Sequence, residues 1–183
     1  MRWVMLLILA YITLLAQTTF GHVLAVNLPA VGPVAPDLSA AAAVFFALRL
    51  RNLMDALIAA AVLGLGVDLV AGVASAAVGP MPMAYALGAW AVFAMADVTF
   101  RDRPLTQALL AVMFCLMAHI FWVTAQSLLG LWAGWGEYAR MLAQAGGLAV
   151  YTAALAPLVC FVLRKADRLL IVASAARGGR EGR

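Results

Sequence analysis

Between Leu53 and Gly72 the chain runs twenty residues, LMDALIAAAVLGLGVDLVAG, with Asp55 near its start and a second carboxylate, Asp68, deep in a stretch that is otherwise aliphatic or small. On a helix Ala56, Ala60, Gly64, Asp68 and Gly72 fall four apart, so the charge lies on a small-residue stripe where another helix backbone can come close. Asp68 is therefore expected to face protein and not lipid.

The rest of the chain has the same character. Of its 183 residues 67% are hydrophobic and 11% charged, and the mean hydropathy is +1.03. A water-soluble domain could carry such values only by covering its surface with apolar side chains. The runs are too long and too uniform for barrel strands, which alternate lipid-facing and lumen-facing residues. The expected class is an all-α integral membrane protein.

Six runs are legible. Trp3 to Phe20 comes first, behind a single arginine, Arg2, and without a clear cleavage site, so it is read as a span and not a removed leader. Gly21 to Pro36 is a linker in which Pro29, Pro33 and Pro36 block helix continuation. Its apolar residues place it at the interface or against the bundle. Asp37 then opens a helix to Leu50, its carboxylate set to cap free backbone N–H groups; short for a span, this helix is either tucked between longer helices or extended by the interfacial linker. Leu53 to Gly72 follows, then Met83 to Phe100, Pro104 to about Leu129, and Met141 to Leu163.

Six crossings with Arg2 in the cytoplasm put eleven of the twelve basic residues on that side, Arg140 being the exception. Both termini are thus expected to be cytoplasmic, with one domain over 1–165 and a basic tail over 166–183. The formal net charge of +4 is then an orientation signal and does not imply nucleic acid. The tail should be drawn to anionic lipid headgroups.

Few groups suit chemistry. His22, Asp37, Asp68 and His119 fall in or beyond the outer half of such a bundle, and His119 shares a helix face with Gln126. His22, His119 and Gln126 form a possible outer-half polar cluster. No pair has metal-ligand spacing, and the two acids and two histidines lie on separate elements, so a helix cap and interhelical hydrogen bonds are the plainer expectation. Asp55 sits in the first turn of its helix, where the dipole favours it, and Asp97 stands four residues before Arg101. Cys115 and Cys160 differ in depth by too much for a disulfide. The sequence has no phosphate loop, GxSxG or CxxC. Neither enzymatic activity, a cofactor nor a metal is expected.

The stretch PDLSAAAAVFFALRLRN, in which Pro36 and Asp37 open a short helix ending in arginines, is followed by LGLGVDLVAG with Gly64, Asp68 and Gly72. Together with the length, the six runs and the basic turn at Arg101, it resembles the bacterial rod-shape-determining membrane protein family MreD. One departure is the longer step, VASAAV, between Gly72 and Gly79. The resemblance implies a non-enzymatic subunit of the cell-elongation (rod) complex in the inner membrane. Such a subunit docks the single-span protein MreC and is linked to the MreB filament, the RodA glycosyltransferase and a class B penicillin-binding transpeptidase. It also implies a fold like the substrate-binding subunits of energy-coupling-factor transporters. Pro36, Asp37, Gly64, Asp68 and Gly72 then become determinants of the fold or the partner interface. A vitamin-binding transport subunit is the alternative, and a lipid-handling or proton-coupled carrier rests on Asp68 alone.

Overall fold

The computed structural model describes residues 3–21, 23–28, 32–50, 52–71, 79–95, 103–129 and 134–178. Among these the elements are α1 (Trp3–Gly21), β1 (Val26–Leu28), β2 (Gly32–Val34), α2 (Leu38–Arg49), α3 (Leu53–Ala71), α4 (Pro80–Met95), α5 (Pro104–Leu128) and α6 (Trp135–Gly178).

The helix α2 is the axis of the bundle. Its sequence, LSAAAAVFFALR, has small residues on every side, and Ser39 through Leu48 are all buried. Alanine all round a helix lets neighbours approach from every direction, and α2 packs against each of the other five helices. Those five close a ring around it, in the order α1, α3, α4, α5, α6 and back to α1. At twelve residues α2 is about 18 Å long, well short of a hydrocarbon core of about 30 Å. Sheathed by protein along its length, it has no need to match the lipid.

The ring carries the opposite pattern. Large apolar side chains such as Leu7 and Tyr11 of α1, Leu69 of α3, Trp90 of α4, Leu109 of α5 and Phe161 of α6 are exposed. That outer surface suits lipid and not water. Three helices are long and apolar enough to cross a membrane, over Leu53–Val70, Pro104–Leu128 and Trp135–Ala166. The apolar stretches Leu6–Gly21, Leu38–Arg49 and Pro80–Met95 are shorter.

The small-residue stripe of α3 meets another backbone as its spacing requires. Ala56 and Ala60 are fully buried, and a Cβ added at Gly64 would lie 2.7 Å from the Met81 carbonyl oxygen and 2.9 Å from Pro82 Cα. Only hydrogen fits there, so Gly64 sets the spacing of α3 and α4. Asp68, one turn on, reaches across to the start of α4. Its Oδ2 accepts from the Gly79 N–H at 2.8 Å and from the Met81 N–H at 3.3 Å. A carboxylate near the C-terminus of its own helix is unfavourably placed against the dipole, and the N-terminus of α4 compensates it. Gly79 leads into α4 with φ +126°, where a side chain would strain the backbone although open space surrounds it.

The linker after α1 contains an antiparallel hairpin, β1 with β2, pairing Val26 with Val34 and Leu28 with Gly32. Three-residue strands carry too little alternation to stand out in a sequence, and Pro33, which has no N–H to donate, reads there as a breaker. The hairpin is tied to α6: Gln144 Nε2 donates to the Pro33 carbonyl at 2.6 Å, and the Tyr151 hydroxyl donates to the Leu24 carbonyl at 3.0 Å. Helix α4 starts three residues before the apolar run of the sequence, at Pro80, because Asp68 caps it from outside. Helix α6 runs on past Arg164 and Lys165 to Gly178, into the stretch read from the sequence as the basic tail. His22, Gly72, Asp97 and Arg101 lie outside the described residues.

Candidate functional site

Because α2 is short and axial, its first turn opens inside the bundle, where its backbone donors need protein partners. Side chains from three elements meet them. Asp37 is the N-cap, with φ −94° and ψ 91°, and its Oδ1 accepts from the Ala40 N–H at 2.9 Å. The Asp37 N–H donates to Thr152 Oγ1 on α6 at 2.8 Å. The Leu38 N–H donates to Gln17 Oε1 on α1 at 2.6 Å, while Gln17 Nε2 donates to the Pro36 carbonyl at 3.2 Å.

The second carboxylate oxygen of Asp37 is approached from two further helices. The Tyr85 hydroxyl of α4 donates to Oδ2 at 2.6 Å, and His119 Nε2 of α5 stands 3.8 Å from the same atom. Tyr85 has no solvent exposure, and its ring packs edge to face on Phe114 with centroids 5.1 Å apart. Buried phenols need a partner for the O–H, and here the ring packing aims it. His119 Nδ1 lies 2.9 Å from the Cys115 carbonyl oxygen. A carbonyl only accepts, so Nδ1 holds a proton and Nε2, which faces Asp37, is a bare acceptor whenever the ring is neutral. Helices α1, α2, α4, α5 and α6 thus meet at one helix start.

Of the residues that the sequence singles out, Asp37 and His119 come together. Pro36 is fully buried directly before the cap. Asp68 works apart from them, on the start of α4. Gln126 is fully buried on α5 two turns beyond His119, away from Asp37. Gly64 belongs to the α3 and α4 contact. Cys115 and Cys160 are both buried and free. Among the described residues no group of three His, Cys, Asp or Glu side chains is placed to hold a metal ion. Gln17, Tyr85 and Thr152 complete the site without having stood out in the sequence. For Tyr85 a signal exists, a phenol in the apolar run of α4, whereas a threonine or glutamine facing inward looks like any other.

Above the start of α2, under the hairpin, lies a cavity of about 400 Å³ whose lining includes Asp37, His119, Trp122, Met141 and Gln144. A neighbouring cavity of about 600 Å³ lies between α1, the hairpin and α3, and Gln17, Pro33, Ala35 and Val67 line both. No family model, curated protein or solved structure matches this chain.

Proposed function

We propose that the chain is a non-enzymatic membrane scaffold of the bacterial cell-elongation complex. In this reading it crosses the inner membrane six times with both ends cytoplasmic. It docks a single-span MreC-like protein and so helps position the RodA glycosyltransferase and a class B penicillin-binding transpeptidase near the MreB filament, maintaining cell shape.

The observation that supports this reading best is the use of Asp37 and Asp68, the two carboxylates on which the resemblance rests. Both are engaged by helix-start N–H groups, and Asp37 also by a phenol. Carboxylates so engaged hold elements in place, and a bundle locked at two helix starts keeps a fixed outer face for a partner helix. The six-crossing arrangement is supported by α2 as well, since a short helix inside a protein sheath is relieved of hydrophobic mismatch.

The test is a mild-detergent pull-down of the tagged chain, with mass spectrometry of the captured proteins and small molecules. Recovery of an MreC-like protein together with wall synthases, reduced for Asp68→Ala, is the expected result. Recovery of a vitamin or an ATPase module without wall proteins would overturn the scaffold reading in favour of a transport subunit.

A further inference from the structure

The cavity under the hairpin has a consistent chemistry. The two polar atoms that stand 3.8 Å apart at its floor, Asp37 Oδ2 and His119 Nε2, both accept. Asp37 Oδ2 accepts one hydrogen bond from Tyr85 and has lone-pair capacity left, and His119 Nε2 is an acceptor in the neutral ring because Nδ1 is committed to the Cys115 carbonyl. The amide of Gln144 donates to Pro33 through Nε2, which leaves its oxygen as the acceptor end. Asp37 and His119 are each more than nine-tenths buried, and among the described residues no lysine or arginine lines the space. Asp37 brings a full negative charge, against which the partial positive charge of the α2 N-terminus is the smaller.

Two acceptors 3.8 Å apart can be bridged by one group carrying at least two N–H donors about 2.8 Å from each. A primary ammonium meets that need and answers the charge. A carboxylate does neither, and a hydroxyl has one proton for two acceptors. The remaining wall is apolar and adaptable: Trp122 offers an indole to a cation or a flat ring, and the flexible thioethers of Met81 and Met141 adjust to shape. The volume of about 400 Å³ lies in the range of small-molecule sites.

We propose that this cavity binds a small amphipathic primary amine, its ammonium between Asp37 and His119 and its apolar body against Trp122 and the methionines. The site is a property of the bundle itself and does not depend on the scaffold reading. Its test uses the purified full chain alone.

The probes are tryptamine, tryptophol and indole-3-propionate, which share one ring and differ in the head group, titrated calorimetrically at neutral pH. Two fillings of the cavity, Leu148→Trp and Met141→Trp, leave the hydrogen bonds of Asp37 in place. Tryptamine should bind with a Kd below about 1 mM, the alcohol about ten-fold more weakly and the acid more weakly still. Each filling should weaken tryptamine at least about ten-fold while the chain still unfolds cooperatively. No binding of tryptamine to the wild-type chain, equal binding of amine and acid, or tryptamine binding untouched by both fillings would overturn the proposal.

Discussion

Replacing Asp37 with alanine should produce the largest loss of stability of any single polar substitution among the described residues. The change strands two buried donors, the Ala40 N–H and the Tyr85 hydroxyl, and removes the N-cap of the axial helix. A buried donor left without its partner costs about 1 to 3 kcal/mol, so the two together predict roughly 2 to 6 kcal/mol. Asp37→Asn keeps an oxygen for the cap and should cost less than half as much. Unfolding in mixed micelles of increasing denaturing detergent measures both. A loss below about 0.5 kcal/mol for alanine would mean that the donors find water, and that the start of α2 is not sealed.

The second large effect belongs to Gly64. A Cβ at this position meets main-chain atoms of Met81 and Pro82, which cannot rotate away, so α3 and α4 must part. Overpacking of this kind costs about 1 to 3 kcal/mol for a few atoms, and Gly64→Leu should reach at least the top of that range. Gly64→Ala should already destabilise, against the intrinsic preference of helices for alanine over glycine. Gly66, half a turn away, provides the contrast. There the atoms nearest the added Cβ belong to the Leu14 side chain, which can move, and Gly66→Ala should be far milder. Equal effects at the two glycines would show that the backbones of α3 and α4 are not in contact at Gly64.

These two positions also mark how far the sequence could be read. The four-residue spacing of Ala56, Ala60, Gly64 and Asp68 implied a close helix neighbour, and the structure supplies α4. Asp37 after Pro36 implied a cap, and it is one. Both inferences hold because small residues and N-caps act locally, through backbone geometry. What the sequence left open is where the short helix sits, tucked between longer helices or extended by the interfacial linker. The twelve residues of α2 looked too few for a span, and nothing local says that five other helices surround them. Once α2 is axial, its first turn is buried, and the need for Gln17, Tyr85 and Thr152 follows from the polar groups there. The hairpin escaped for a different reason: two strands of three residues, one holding a proline, have no periodicity to detect.

The pairing of His119 with Asp37 illustrates the middle ground. Their expected depth in a six-crossing bundle put them at a similar level, but level does not fix azimuth. It is the packing of α5 against α4 and α6 that turns the imidazole toward the carboxylate. Gln126, on the same helix and equally polar, ends two turns away at a separate buried position.

Through Tyr85, the Asp37 carboxylate joins the axial helix to the ring around it. A double-mutant cycle between Asp37→Ala and Tyr85→Phe, with unfolding free energy as the readout, tests that junction most directly. In the wild-type background Tyr85→Phe should cost about 1.5 to 3 kcal/mol, because it breaks a hydrogen bond to a buried carboxylate. In the Asp37→Ala background the same change should cost nothing or restore stability, since it removes a stranded hydroxyl, giving a coupling of at least about 1.5 kcal/mol. Additive losses would contradict the junction and leave Asp37 as a cap for α2 alone.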